Sequence, residues 1–309
     1  MKGRSTLKVA ILGSGKIGTD LLVKTQRSPY LECVLCVGRR PTSLGLIKAQ
    51  EMGVETSIDS IDAIEAYAEN IDVVFDATSA QDHFIHAPIL ESLGIKVIDL
   101  TPAELGPFAV PCMPGPGLDS ANNLNMVTCG GQSSIPVVNV LSKVFPELRS
   151  LHVCSTLAED SVGPATLANI DHYYQTTADA LAHFSKFEDI RVDLNLETSA
   201  WKPDMLTRIS AYTENIDLSL LYVPLQRALN QVRSYVPGYN IVGTPKCVGN
   251  SIEILVSVRG QGDWVPRHAG NLDIINCAAI DVVESYARHS SGTYMDSGES
   301  DFEGSKLIA

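Results

Sequence analysis

A chain of 309 residues, 45% of them hydrophobic, is long enough for a real core and for one or two domains. Its formal charge of −13 argues against a general nucleic-acid or anionic-membrane surface, and no apolar run reaches bilayer-spanning length. Seven cysteines, an odd number, behind an N-terminus that resembles no secretory signal, read as reduced thiols in a cytoplasmic protein.

Lys8 to Leu12 is a short apolar run that reads as a buried parallel strand. Gly13-Ser14-Gly15-Lys16-Ile17-Gly18 follows, and Thr19 to Gln26 is amphipathic. This is G-x-G-x-x-G after a strand and opening a helix, the context in which it predicts a dinucleotide site. Gly13 permits the turn, Gly15 the approach of a pyrophosphate to the helix N-terminus, and Gly18 the packing of helix on strand.

A second strand, Leu31 to Val37, carries Cys33 and Cys36. Three residues apart on a strand, they are expected on opposite faces, which argues against a shared metal. The strand runs into Gly38-Arg39-Arg40-Pro41-Thr42-Ser43. An acid for the adenosine ribose is expected there; two arginines and Ser43 stand instead. That suits a 2′-phosphate and leans the cofactor toward NADP(H) over NAD(H).

The alternation continues. Helices are predicted over Ser43 to Met52, Ile58 to Ala68 and Gln81 to Leu93. Strands are predicted over Asp72 to Asp76, Lys96 to Leu100 and Asn123 to Thr128, with Thr78 in the small-residue loop after Asp76. His83 and His86 could chelate by spacing, but no third ligand is in sight. They are expected to be solvated helix histidines, and no metal site is assigned. Such strand–helix units make a doubly wound parallel sheet, whose ligands bind at the carboxyl ends of the strands. Met113-Pro114-Gly115-Pro116-Gly117 reads as a rigid loop.

Thr128-Cys129-Gly130-Gly131-Gln132 stands between the last of these strands and a helix predicted over Ile135 to Val144, with Pro136 in its first turn. A cysteine there faces unpaired helix N–H groups, which favour thiolate over thiol and can hold an oxyanion beside the sulfur. Cys129 would then share a rim with a nicotinamide.

From about residue 148 the texture changes. Strands are predicted over Leu151 to Ala158, Ile190 to Leu196, Met205 to Tyr212, Tyr239 to Val242 and Ser251 to Arg259. A long helix is predicted over Thr166 to Phe187, and another over Asn215 to Tyr235 with a break near Pro224. The fold class is α/β: a Rossmann-type doubly wound parallel sheet plus an α+β catalytic and dimerisation domain on an antiparallel sheet. The boundaries drawn are 1–128 for the dinucleotide domain, completed by a helix over 269–288, then 129–268 for the second domain. An acidic tail over 289–309 has too little apolar surface to fold.

Gly13 to Leu21, Val74 to Ala80, Asp99-Leu100-Thr101-Pro102 and Asn125 to Gln132 together resemble acylating acetaldehyde dehydrogenase, the form that works beside 4-hydroxy-2-oxovalerate aldolase. Gly163-Pro164, Ala168-Asn169-Ile170-Asp171, Tyr235 to Tyr239 and Ala269 to Asp273 extend the likeness almost to the tail. The resemblance implies oxidation of a short aldehyde to an acyl-CoA with a nicotinamide cofactor, Cys129 as nucleophile and coenzyme A resolving the thioester. It implies cofactor contacts from Ser14 to Ile17, from Ser161, Val162, Gly163, Pro164 and Asn169, and from Asn271. It also implies an aldolase partner and a homodimer or higher oligomer.

The chain departs from the family pattern at several points. Arg40 stands where an acid is usual, Asp160 where a basic residue is usual, and Ala165 and Leu167 where Gly and Arg are usual. An aspartate thought to assist the cysteine falls near Thr207 or Arg208, with Asp204 out of register. Two other readings therefore stay open: a semialdehyde-type NADP reductase that uses phosphate as acyl acceptor, and a cofactor-binding partner of an aldolase without turnover.

Overall fold

The first strand, β1 (Leu7–Leu12), is buried from Val9 onward, as a strand covered on both faces must be. The computed structural model that shows this describes residues 6–113, 115, 118, 120–163, 167, 170–212 and 217–290. α1 (Lys16–Thr25), β2 (Leu31–Val37), α2 (Leu44–Glu51), β3 (Glu55–Ser57), α3 (Ile61–Ala66), β4 (Val73–Asp76), α4 (Ala80–Ser92), β5 (Lys96–Asp99) and β6 (Asn123–Asn125) follow in chain order. They build a parallel sheet ordered β3-β2-β1-β4-β5-β6. The order reverses beside β1, so the strand exits there open into one crevice.

Several predicted bounds change. β3 was not expected from the sequence; its three residues carry no alternating pattern. Helix α3 starts only at Ile61, because Ser60 before it takes a positive φ of 53°. The predicted strand to Thr128 stops at Asn125. Asn125 Oδ1 accepts the Val127 N–H at 2.7 Å, and Val127 turns to φ +62°, a rare conformation for a β-branched residue.

Cys33 and Cys36 do not face opposite ways. The pairing of β1 with β2 jumps from Val9–Cys33 to Ala10–Leu35. Val34 is thus the extra residue of a β-bulge, and both cysteines end buried in one core cluster.

α5 (Cys129–Val144) begins six residues earlier than the sequence suggested and takes both glycines into its first turn. Pro136 consequently lies well inside the helix. It has no N–H to donate, so one bond of the helix ladder is lost in a stretch that is buried from Gly130 to Val138.

Beyond it come β7 (Ser150–Ala158), α6 (Ile170–His183), β8 (Asp189–Glu197), β9 (Met205–Tyr212), α7 (Tyr222–Arg233), β10 (Tyr239–Ile241), β11 (Lys246–Val248), β12 (Ser251–Val258) and α8 (Gly270–Ser290). The second sheet is ordered β10-β12-β9-β7-β8, with β11 on β12. It is mixed rather than antiparallel. β7 and β8 run parallel because α6 crosses over between them.

The helix break lies before Tyr222, where a 3-10 turn over Leu218–Leu221 hands over to α7. Pro224 sits harmlessly in the first turn of α7. α5 packs on α6, α7, α8 and β9 and so joins the two sheets.

α8 returns to the first sheet and lies against α1. Lys24 is buried between them and reaches Asp20 at 3.1 Å, Asp263 at 2.6 Å and Asp273 at 2.7 Å. Burial alone would lower the Lys24 pKa. Its anionic neighbours outweigh that and hold the ammonium charged.

Candidate active site

The carboxyl ends of β1, β2 and β4 open into one cavity of about 920 Å³, which reaches across to the first turn of α5. Gly13, Ser14, Gly15, Lys16 and Ile17 line it, together with Arg39, Arg40, Ser43, Thr78, Cys129, Val162, Gly163 and Asn271. Thirteen of the residues expected at the site thus share one space. Gly18 does not line it. A Cβ there would stand 1.8 Å from the Gly13 carbonyl oxygen, so its role is packing of helix on strand. Ser161 is buried behind the wall; its hydroxyl donates to the Ala158 carbonyl, and its own carbonyl accepts from Asn271 Nδ2 at 3.1 Å. Pro164 and Asn169 lie outside the described residues, as do Ala165, Thr166, most of the 113–117 loop and the tail from 291.

The glycine turn is built for a group to approach. Gly13 has φ +117°, and a Cβ on it would strike the Ala77 carbonyl. Gly15 caps α1 without any side-chain hydrogen bond, and no atom lies within 4 Å of where its Cβ would be. The first N–H groups of α1 therefore point into open cavity. At the end of β2, Ser43 caps α2 and shares a 2.8 Å hydrogen bond with Ser14. Arg39 and Arg40 are exposed beside it. Asp82 is the one carboxylate among the described lining residues, and it accepts from Ser79.

His83 and His86 are not solvated. Both are buried, and both place Nδ1 2.9 Å from Asp76 Oδ2 at the foot of β4. Burial pushes the Asp76 carboxyl up, but hydrogen bonds from His83, His86 and Thr78 outweigh it and bring it to about 2. Asp99, buried on β5, is pushed up to about 6. The network carries Asn125, whose Nδ2 donates to Asp99 at 3.1 Å and whose Oδ1 holds the strained Val127. A chain of polar contacts thus runs from Asp76 to the residue that aims Cys129.

Cys129 is the first residue of α5. Thr128 caps the helix, its Oγ1 accepting from Gly131 N at 3.0 Å and its carbonyl from Gln132 N at 2.8 Å. That leaves the N–H groups of Cys129 and Gly130 free to act on the sulfur, which both do. The thiolate expectation is nevertheless corrected. Burial pushes the thiol up to about 11, against the pull of Tyr173, Gly130 and its own N–H. The helix terminus is outweighed by desolvation, so the resting side chain is a thiol.

The floor under Cys129 is lined with hydroxyls. Ser133 and Thr207 share a 2.7 Å hydrogen bond, Ser155 and Thr207 a 3.3 Å one, and Thr128 and Thr177 a 2.7 Å one. Thr207 is the position that faces this floor. Arg208 points to the other, exposed face of β9, and Asp204 lies before the strand. Tyr173, arriving from α6, was not singled out by the sequence, since nothing in a helical tyrosine marks its contact with a distant cysteine. Asp160 turns outward to Lys202 and His268, while its carbonyl accepts from Lys16 Nζ at 2.5 Å.

A glycine-turn parallel sheet whose rim is shared with a half-buried cysteine at the start of a second, mixed-sheet domain defines an NAD(P)-binding aldehyde oxidoreductase. The family described as semialdehyde dehydrogenase, NAD binding domain, matches residues 8–110, and prokaryotic acetaldehyde dehydrogenase, dimerisation, matches 129–266. The acetaldehyde dehydrogenase of Spirochaeta aurantia is 47% identical over 282 residues, 91% of this chain and 95% of that protein. That of Pectobacterium atrosepticum is 45% identical over 280 residues, 90% and 95% of the two chains. Among solved structures, aspartate semialdehyde dehydrogenase with NADP from Candida albicans superposes with a TM-score of 0.65 at 12% identity, covering 91% of this chain and 99% of that one, a likeness of fold. The chain belongs to the acylating acetaldehyde dehydrogenase family. No helix among the described residues is long and apolar enough to cross a membrane.

Proposed function

We propose that this acetaldehyde dehydrogenase works through Cys129, which adds to the aldehyde carbonyl and carries the acyl group as a thioester until coenzyme A takes it. The observation that carries the reading is that Cys129 and the open glycine turn line one cavity. The residues present fit a dinucleotide. Gly15 leaves room for a pyrophosphate at a bare helix end, and Asn271, lining the cavity, has a buried Oδ1 with no partner. When bound there, the nicotinamide supplies the hydride acceptor. Lys16 and the α1 N–H groups hold the phosphates, and the N–H groups of Cys129 and Gly130 polarise the aldehyde oxygen beside the sulfur as charge develops on it.

Arg39, Arg40 and Ser43, which line the cavity at the end of β2, support NADP(H) over NAD(H). The chain is read as a dinucleotide domain to about residue 128, completed by α8, and a catalytic domain beyond it that forms a homodimer. The family description of residues 129–266 as a dimerisation region supports this assembly. Seven free cysteines fit a reducing, cytoplasmic setting. The partnership with an aldolase rests on the family likeness.

The test is the near-ultraviolet absorbance of reduced nicotinamide with acetaldehyde and coenzyme A, run with NAD⁺ and NADP⁺ side by side. Sustained reduction that requires coenzyme A, faster with NADP⁺, is the expected result. Turnover on phosphate without coenzyme A would assign the acyl-phosphate chemistry instead.

A further inference from the structure

Cys129 poses a proton problem. The nucleophile is a half-buried thiol, and the proton on it has to go somewhere as sulfur attacks carbon. Among the described residues no imidazole or carboxylate acts on this thiol; the side chain that does is Tyr173. Tyr173 is 4% exposed, lines the cavity, and lies across the first turn of α5. The contact is so close that a Cβ on Gly130 would stand 2.3 Å from the Tyr173 hydroxyl and 3.1 Å from Ser155 Oγ. A side chain at position 130 would push this hydroxyl aside. Cys129, Ser155 and Thr128 all lie near enough to act on the hydroxyl, yet among the described residues no hydrogen bond of good distance and angle settles on it. A buried hydroxyl without a settled partner is costly to keep in a core, and such atoms call for a functional explanation. Behind it, Ser155, Thr207 and Ser133 continue as a hydrogen-bonded row.

We propose that Tyr173 is the catalytic proton-transfer partner of Cys129. As the Sγ–carbon bond forms and the π bond of the aldehyde carbonyl opens, the thiol proton passes to the Tyr173 oxygen. The Tyr173 proton passes to the carbonyl oxygen in the same step. The product is a neutral thiohemiacetal, Tyr173 ends as it began, and nothing is oxidised or reduced. A hydroxyl that gives and takes at once suits a site where neither a thiolate nor a tyrosinate is stable. The unsatisfied geometry at rest is what such a group needs, since a firm acceptor would hold its proton away from the substrate.

The proposal rests on Cys129 as nucleophile, and the experiment separates the two. Tyr173→Phe and Cys129→Ala are compared with wild type in a single turnover without coenzyme A, with acetaldehyde varied in excess over enzyme and the oxidised cofactor saturating. For Tyr173→Phe the reduction rate is expected to fall about 100-fold, the usual worth of a general acid–base group. The acetaldehyde concentration giving half the maximal rate should not move, and the thermal midpoint should stay or rise, because the lost hydroxyl had no partner. Alkylation of Cys129 by iodoacetamide at fixed pH should slow with it. A Tyr173→Phe enzyme within threefold of wild type, or one whose rate, half-saturation and midpoint all fall together, overturns the assignment. Substantial turnover by Cys129→Ala overturns the nucleophile itself. An inert Cys129→Ala beside an unimpaired Tyr173→Phe overturns the tyrosine alone.

Discussion

Two helix N-termini meet at the cavity, and they obey the same electrostatics to opposite ends. α1 opens at Gly15 with no side-chain cap and no acid in its first turn. Its N–H groups face open space, where an anion can enter and gain from the helix dipole without displacing protein. α5 opens at Cys129 under a Thr128 cap, buried from Gly130 onward. There the dipole acts on a half-buried group at the inner end of the cavity, and desolvation outweighs it, leaving the thiol near 11. A helix terminus therefore predicts the sign of a pKa perturbation but not its outcome, which depends on how much water the terminus keeps.

The largest effect should come from removing the group that α5 presents. Cys129→Ala is expected to lower turnover by more than about 10³-fold, as loss of a nucleophile does. Titration of NADP(H) against the same variant should give nearly the wild-type affinity, because α1 and β2 hold that end of the cavity. A joint loss of binding and turnover would mean that the two termini do not act separately. Next comes the pH dependence of the thiol. Its pKa is raised above the ordinary value, so the thiolate fraction grows as pH rises and saturates only near 11. Iodoacetamide labelling of Cys129 should then climb about tenfold per pH unit from 7 to 10. A plateau below pH 8 would show a thiolate already formed at rest, and the contrast with α1 would collapse.

How legible these two ends were in the sequence differs for the same reason. The α1 end is written locally. Gly13 to Gly18 encode turn, approach and packing within six consecutive residues; the strand beside them was predicted to within one residue, and the helix starts three residues earlier than its amphipathic stretch. The α5 end is assembled from afar. Its first turn is aimed by Val127 at positive φ, which Asn125 holds through a side chain itself anchored on Asp99. The atom closest to Cys129 in function, the Tyr173 hydroxyl, arrives on another helix, and no periodicity marks it. The same holds at the cavity's base. His83 and His86 share Asp76 only because α4 folds back over the end of β4. Cys33 and Cys36 meet because of a bulge that a strand pattern does not announce. Local chemistry was readable; chemistry made by packing was not.

The α1 end can be sharpened with two substitutions of middling effect. Gly15→Ala has space for its methyl group and a φ of −81° that alanine accepts, so stability should hold. The methyl occupies the approach of the pyrophosphate, and affinity for either cofactor should weaken about tenfold. Arg40→Asp should instead discriminate, lowering NADP⁺ affinity about tenfold while sparing NAD⁺. Equal losses for both cofactors would make Arg40 a general charge rather than a reader of the 2′-phosphate.

The smallest effect tests the cap on α5. Thr177 Oγ1 donates to the Tyr173 carbonyl at 2.6 Å, which leaves Thr128 as the donor in their 2.7 Å hydrogen bond and frees a lone pair on Thr128 for Gly131 N. Thr128→Ala breaks both bonds and leaves a buried N–H without a partner, a cost of about 1 kcal/mol in unfolding free energy. Thr128→Ser should recover most of it, since the oxygen returns. The N–H groups that act on the sulfur belong to Cys129 and Gly130, not to Gly131. Chemical denaturation should therefore register the cap while the labelling profile of Cys129 stays in place. If the profile shifts upward with the lost stability, the cap holds the first turn in the geometry that lets those two N–H groups reach the thiol, and the electrostatics of α5 begins one residue before the cysteine.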